Sequence, residues 1–218
     1  MGSATDRLAT ILAGWTDRHG IRWALRDVPT TESVEEIASC SRFSASELDS
    51  LNKFRHAGRR ASWVAGRLAA REAVASWYRG EGRDPGHHEI PASRSGAPRI
   101  EGRDDLHLSI SHSGSVAVAV VGNRRLGIDL EALEERPDSL VRSFFSESER
   151  LWIEAVPSER TRRGNTAWTR KEAVAKLLGK GGSLRFADLA ILDGESPWTI
   201  ESASTPQHAI SLALEHGN

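Results

Sequence analysis

The sequence is short of cysteine, of long apolar segments and of net charge, and each shortage excludes a class of protein. Its 218 residues include one cysteine, Cys40, which excludes an internal disulfide and a cysteine-rich zinc site. No apolar run approaches the roughly 18 residues that cross a membrane. The N-terminal segment resembles neither a signal peptide nor a myristoylation site. We therefore expect a cytoplasmic protein without a membrane partner.

The charged residues are nearly balanced but unusually distributed among types. The formal net charge is -1, so the molecule lacks the overall basic field that attracts nucleic acid, and we expect no nucleic-acid partner. Only four of the 29 basic residues are lysines, namely Lys53, Lys171, Lys176 and Lys180. Hydrophobic residues make up 39% of the chain and charged residues 27%, which is the composition of a folded protein.

The pattern along the chain predicts an α+β fold in two halves of similar size. Residues 80–105 contain five glycines and three prolines, which is typical of a loop. We place the boundary there, with an N-terminal half over 1–105 and a C-terminal half over 106–218. The main predicted helices cover 4–18, 59–78 and 168–178, and two capping boxes, Ser44 with Glu47 and Ser146 with Glu149, predict shorter ones.

Beyond residue 105 the hydrophobic period changes from that of helices to that of strands. Alternation predicts strands near 106–111, 116–121 and 126–131, with two closing strands near 200 and 209–214. The short polar segment 122–125 suggests that the second and third of these strands form a hairpin.

Two carboxylates share one face of the strand that contains Leu126, Ile128 and Leu130. Asp129 and Glu131 are two residues apart, so both can reach one ion. Oxygen-only ligands favour Mg²⁺, Mn²⁺ or Ca²⁺ over zinc. The alternative is a strand end with two solvated acids, because this short pattern is common.

A second candidate group lies on the predicted helix over 168–178. Trp168, Glu172 and Lys176 are spaced i, i+4 and i+8, so they share one helix face. An acid and a scarce lysine beside a large aromatic side chain suggest a partly packed, functional face. The alternative is an ordinary surface pair between Glu172 and Lys176, worth only about 0.3–0.5 kcal/mol.

Two further groups could bind an anion. Ser111 and His112 lie where a predicted strand ends in a glycine-containing turn, and hydroxyl, imidazole and backbone N–H groups suit phosphate. Arg60, Arg67 and Arg71 form a stripe on the long helix. The alternatives are a structural histidine and a solvated arginine face. A Ser–His catalytic pair is also conceivable, although no nucleophile-elbow motif accompanies it.

Together and in order, these motifs resemble those of the 4′-phosphopantetheinyl transferases of the large, Sfp-type class. The order is G-x-P, S-H-S, G-I-D-L-E, F-F-S-x-x-E, W-x-x-K-E-A-x-x-K and G-K-G, between about residues 54 and 189. The resemblance implies two pseudo-equivalent lobes, each a small antiparallel sheet packed against helices, which form a pseudo-dimer within one monomeric chain. The small class of the family is about half as long and trimeric.

The resemblance also implies an activity and roles for residues. The expected reaction transfers 4′-phosphopantetheine from coenzyme A to a serine of an apo acyl or peptidyl carrier protein and releases adenosine 3′,5′-bisphosphate. Mg²⁺, or Mn²⁺, would be bound by Asp129, Glu131 and Glu172, and Glu172 would take the serine proton, directly or through water. Lys176 would contact phosphate and steady the leaving group. Ser111, His112 and Lys180 match positions that contact coenzyme A.

One departure from the family pattern concerns the 3′-phosphate of coenzyme A. Where relatives have G-K-P, this chain has Gly96-Ala97-Pro98, so a phosphate-binding lysine is missing. We expect Arg94 or Arg99, with Arg60 or Arg67, to take its place, because guanidinium groups grip phosphate in a bidentate way.

Two other functions compete with this one. The first is a non-catalytic relative that binds coenzyme A or a carrier protein, and the intact set of Asp129, Glu131, Glu172 and Lys176 argues against it. The second is an unrelated Mg²⁺-dependent phosphohydrolase, which would not explain the order of the other motifs. The sequence does not identify the natural carrier protein.

Overall fold

A computed structural model describes residues 3–93, 96–180, 184–189, 191–192 and 196–216. The helices are α1 (Ala4–His19), α2 (Val34–Cys40), α3 (Ala45–Asn52), α4 (Ala57–Gly80), α5 (Asp138–Phe144), α6 (Glu147–Glu154) and α7 (Arg160–Leu177). The strands are β1 (Arg22–Asp27), β2 (His107–Ser113), β3 (Val116–Gly122), β4 (Leu126–Ala132), β5 (Trp198–Ser204) and β6 (His208–Glu215). Within these described ranges no helix combines the length and apolar character that a membrane span requires.

The strands form two antiparallel three-stranded sheets. The first sheet has the order β1-β3-β2 and the second the order β4-β6-β5. The long helix α4 packs on β1 and β3, and α7 packs on β4 and β6. Each sheet is thus covered by one main helix, which confirms the predicted α+β fold with two lobes. Both predicted capping boxes are present, at Ser44 and Ser146.

Two predictions about the strands need correction. The predicted hairpin between β3 and β4 does not form, because β1 and β2 already occupy both edges of β3. The hairpin instead joins β2 to β3, where Gly114 adopts φ 57°, a conformation that glycine allows without strain. The predicted boundary after residue 105 also differs from the division between the sheets, because β2 and β3 follow it but pair with β1. By sheet pairing, the chain changes lobe between β3 and β4.

Helix α7 lies unusually close to β4 at Gly127. A Cβ atom at this glycine would lie 2.0 Å from the carbonyl oxygen of Ala173 and 2.6 Å from the backbone nitrogen of Leu177. Real Cβ atoms do not approach backbone atoms so closely, so any side chain would push the helix away from the strand. The glycine of the G-I-D-L-E motif therefore sets the distance between the two elements that carry the candidate carboxylates.

We expect Gly127→Ala to reduce the free energy of unfolding by about 3 kcal/mol, the upper part of the usual range for overpacking a well-packed interior. Urea unfolding measures this loss. Gly58→Ala is the matched control, because a Cβ at this helical glycine meets no atom within 4 Å and should be neutral or stabilising by up to about 1 kcal/mol. Equal stability of the two variants would contradict the close approach.

Candidate active site

The candidate site is centred on Asp129, at the seam where the two sheets meet. Its side chain is buried, with 4% of the residue surface exposed. Oδ1 accepts hydrogen bonds from Lys176 Nζ at 2.7 Å and from Ser111 Oγ at 2.9 Å. Oδ2 is buried and has no hydrogen-bond partner among the described residues. The protein thus fixes one oxygen of the carboxylate, and the other oxygen can contact a ligand.

Lys176 connects α7 to β4 rather than acting as a surface residue of its own helix. Its ammonium group donates to Asp129 and also to the carbonyl oxygen of Ile128 at 3.0 Å. Lys176 therefore pairs with Asp129 and does not form the ordinary surface pair with Glu172 that was the alternative. Lys176 also lines two cavities next to β2, so its charge is accessible to a ligand.

Glu131 and Glu172 lie in the electrostatic field of Asp129. Burial raises the pKa of Glu131 and of Glu172, and the negative charge of Asp129 raises both further. The positive charge of Lys176 acts in the opposite direction on each. The three acids predicted as metal ligands are therefore near neighbours. Within the described part of the chain, however, no three histidine, cysteine or acidic side chains are arranged closely enough to hold an ion as they stand.

Arg136 is a member of this group that the sequence did not reveal. Its guanidinium lies 4.7 Å from the centre of the Trp168 ring and 3.9 Å from Glu131 Oε2. Its Nε is buried without a hydrogen-bond partner among the described residues, and burial lowers its pKa. Arg136 follows β4 in an irregular segment, and in a chain so rich in arginine nothing in the local sequence distinguishes it.

Ser111 and His112 point to different places, as adjacent residues of a strand do. The Ser111 hydroxyl is buried in the seam between the sheets, where it accepts from the backbone nitrogen of Leu130 at 3.2 Å and donates to Asp129. The predicted contact of Ser111 with coenzyme A stays a prediction. His112 lines a cavity of about 520 Å³ beside α4. Desolvation lowers the pKa of the imidazole, and the positive charges of Lys176 and Arg59 add to this effect.

The cavity beside α4 has a basic lining. Its charged or titratable lining residues are Lys53, Arg59, Arg67 and His112. Arg67 is only 8% exposed and its guanidinium stacks over the Trp63 ring at 5.0 Å. Its Nε is buried with no hydrogen-bond partner among the described residues, and burial lowers its pKa. A guanidinium that burial destabilises and that lacks a full set of acceptors favours an incoming anion.

The other basic residues named from the sequence have different positions. Arg60 is not in the cavity lining: it pairs with Glu35 and donates to the carbonyl oxygen of Leu51 at 3.1 Å. Its neighbour Arg59 lines the cavity instead. Arg99 is exposed and lines a neighbouring cavity with Lys176. Lys180 is exposed just beyond α7. Arg94 lies outside the described residues.

Comparison with known proteins finds a matching family and several similar relatives. The model of the 4′-phosphopantetheinyl transferase superfamily matches residues 125–215. A 4′-phosphopantetheinyl transferase of Bacillus subtilis is 30% identical over 158 residues, which are 72% of this chain and 69% of the relative. The transferase AcpT of Salmonella typhimurium is 30% identical over 160 residues, 72% of this chain and 76% of the relative.

Among solved structures, similarity extends to a holo-(acyl-carrier-protein) synthase from Bacillus anthracis in complex with coenzyme A (3′,5′-ADP). The alignment covers 46% of this chain and 91% of that one, with 24% identity and a TM-score of 0.35.

Proposed function

The chain belongs to the 4′-phosphopantetheinyl transferases, and from that premise we propose that it is an Mg²⁺-dependent enzyme whose reaction takes place at the seam around Asp129. The family reaction transfers 4′-phosphopantetheine from coenzyme A to a serine of an apo carrier protein. The observation that carries the location is the buried Asp129 carboxylate, with one oxygen held by Lys176 and Ser111 and the other without a partner.

The residues around Asp129 fit a divalent cation. The unpartnered oxygen of Asp129 is buried, and a buried carboxylate oxygen without a partner is costly unless something positive binds to it. Glu131 and Glu172 supply further oxygens, and burial, followed by the negative charge of Asp129, raises the pKa of each. An all-oxygen donor set suits Mg²⁺ or Mn²⁺. Asp129, Glu131 and Glu172 would hold the ion.

When bound, the ion would supply positive charge to the pyrophosphate of coenzyme A while the β-phosphorus is attacked. The carrier serine oxygen forms the new bond to the β-phosphorus, and the bond to the bridging pyrophosphate oxygen breaks. Adenosine 3′,5′-bisphosphate leaves with the electron pair of that bond.

Two side chains of α7 have roles in this step. Glu172 accepts the proton of the carrier serine, directly or through water. Lys176 is oriented by Asp129 and by the carbonyl oxygen of Ile128. From there its ammonium donates to the oxygens of the leaving phosphate.

We place the nucleotide end of coenzyme A in the basic cavity beside α4. The stacked and buried Arg67 supplies a fixed guanidinium, and Arg59, Lys53 and His112 line the same space. Arg59 replaces Arg60 in the predicted clamp on the 3′-phosphate, while Arg94 and Arg99 remain proposed contributors from the loop and Lys180 a proposed contact further along coenzyme A. The missing G-K-P lysine is thus offset by arginines of α4.

Arg67→Ala should raise the Michaelis constant for coenzyme A about 10-fold or more while changing the turnover rate less, because this contact is remote from the reacting phosphorus. Comparison of coenzyme A with 3′-dephospho-coenzyme A measures the contribution of the 3′-phosphate. Wild type should discriminate strongly and Arg67→Ala weakly. Arg60→Ala is the control, because Arg60 pairs with Glu35 outside the cavity. Full discrimination in Arg67→Ala would refute the clamp.

The remaining features follow the family pattern of the large class. We propose a cytoplasmic monomer that acts on an apo acyl or peptidyl carrier protein, with secondary-metabolite biosynthesis as its setting, and with neither a nucleic acid nor a membrane as partner. Intact-mass analysis of several apo carrier proteins incubated with coenzyme A and Mg²⁺ tests which carriers are modified.

A further inference from the structure

Three alternate serines of β2 connect the two sheets through their side chains. Their hydroxyl oxygens accept hydrogen bonds from three alternate backbone N–H groups of β4: Ser109 from Ile128 at 3.0 Å, Ser111 from Leu130 at 3.2 Å and Ser113 from Ala132 at 2.8 Å. We call this set the serine ladder. It takes the place of the backbone hydrogen bonds that would join two strands of one sheet.

The ladder satisfies an edge that would otherwise be unpaired. The backbone of β2 pairs with β3, and that of β4 pairs with β6. Successive N–H groups of a strand point to opposite sides, so those of Ile128, Leu130 and Ala132 are directed away from β6. Buried N–H groups need acceptors, and the serines supply them. All three serines therefore contribute to the contact between the lobes.

Among the described residues, only two of the three hydroxyls also donate a hydrogen bond. Ser111 Oγ donates to Asp129 Oδ1 at 2.9 Å, and Ser113 Oγ donates to Glu131 Oε2 at 3.4 Å. At the equivalent position beside Ser109, β4 has Gly127, which has no side chain. The register of the ladder thus places a hydroxyl donor beside each of the first two proposed metal ligands and beside no other side chain of β4.

We propose that Ser111 and Ser113 are positioning residues that orient the carboxylates of Asp129 and Glu131 for metal binding. This inference rests on the metal site of the proposed function. The donated hydrogen bond fixes one oxygen of Asp129, and together with Lys176 it leaves the other oxygen directed away from both donors. Without these donors, the two like-charged carboxylates would turn away from each other. Groups that orient metal ligands typically contribute 10- to 100-fold to metal affinity, by order of magnitude.

The three serines provide their own matched control. Ser109→Ala, Ser111→Ala and Ser113→Ala each remove one acceptor of a β4 N–H group, so each should lower the urea midpoint of unfolding by a similar amount. Calorimetric titration of the full chain with Mn²⁺ alone measures metal binding without turnover. Ser111→Ala should weaken Mn²⁺ binding about 10- to 100-fold. Ser113→Ala should have a smaller effect because its bond is longer, and Ser109→Ala should bind like wild type.

A variant that keeps the hydroxyl separates orientation from packing. Ser111→Thr retains the donor and should restore most of the Mn²⁺ affinity lost in Ser111→Ala. If Ser111→Ala does not fold, Ser113→Ala at the less buried end of the ladder replaces it, with about 10-fold weaker binding expected. Mn²⁺ binding by Ser111→Ala equal to wild type, or an equal loss in Ser109→Ala, would overturn the inference and leave the metal site intact. Absence of Mn²⁺ binding in wild type would instead refute the metal site and this inference with it.

Discussion

Asp129→Asn is expected to abolish measurable transfer of phosphopantetheine, with a rate loss of at least about 10²- to 10³-fold, the usual cost of removing one group that stabilises transition-state charge. The amide has nearly the shape of the carboxylate but lacks its charge. It can neither bind a cation as strongly nor form an ion pair with the Lys176 ammonium. The rate of mass gain of an apo carrier protein measures the loss.

The same substitution should leave the protein folded. Asp129 is buried near Glu131 and Glu172, and its negative charge raises the pKa of both. Neutralising Asp129 therefore relieves repulsion among these carboxylates, although the substitution also weakens the contact with Lys176. We expect a free energy of unfolding within about 1 kcal/mol of wild type, as functional sites often cost stability. Glu35→Gln is the control, because Glu35 is an exposed acid that pairs with Arg60 far from β4 in sequence. Normal transfer by Asp129→Asn would contradict the assignment of the site.

The second large effect concerns stability and a buried ion pair behind the site. Lys171 is 0% exposed, and its Nζ lies 2.8 Å from Glu149 Oε2, whose side chain is 1% exposed. Nζ also donates to the carbonyl oxygens of Phe186 and Leu189. Burial lowers the pKa of Lys171, and the hydrogen bond with Glu149 opposes this shift. The pair joins α6, α7 and the segment after α7.

Lys171→Met should lower the free energy of unfolding by about 3–5 kcal/mol, because it leaves the charge of Glu149 buried without its partner. The double variant Glu149→Leu with Lys171→Met removes both charges and should recover part of that loss, although Glu149 also accepts from the backbone N–H of Ser146 in the cap of α6. Urea unfolding gives both values. Arg162→Met, at an exposed position of the same helix, should change stability by less than about 0.5 kcal/mol. A loss in Lys171→Met as small as that in the control would contradict the buried pair.

Local patterns in the sequence predicted the elements and the residues that act within one element. Alternation over β4 indicated that Asp129 and Glu131 share a face, and helical spacing over α7 put Trp168, Glu172 and Lys176 on one side. Such periodicity depends only on neighbours along the chain. The helices α4 and α7 and the two capping boxes followed from the same kind of local information.

Features that depend on which elements meet were not accessible in this way. The partner of Lys176 is Asp129 rather than Glu172, and the partner of Lys171 is Glu149, since tertiary contacts decide both. Along α4 a shift of one residue turns a side chain by about 100°, so Arg59 faces the cavity and Arg60 does not. The sequence showed that the serines alternate along a predicted strand. It did not show that β4 lies beside this strand, and their role as hydrogen-bond acceptors depends on that contact.

The central claim is that transfer depends on a divalent cation at the carboxylates of β4 and α7. Wild-type protein freed of divalent cations with a chelator is incubated with coenzyme A and an apo carrier protein, and intact-mass analysis follows the carrier with time. We expect no gain in mass until excess Mg²⁺ or Mn²⁺ is added, and then the gain of one phosphopantetheine. Asp129→Asn should remain inactive at the same cation concentration. Full transfer in the presence of the chelator would contradict the claim.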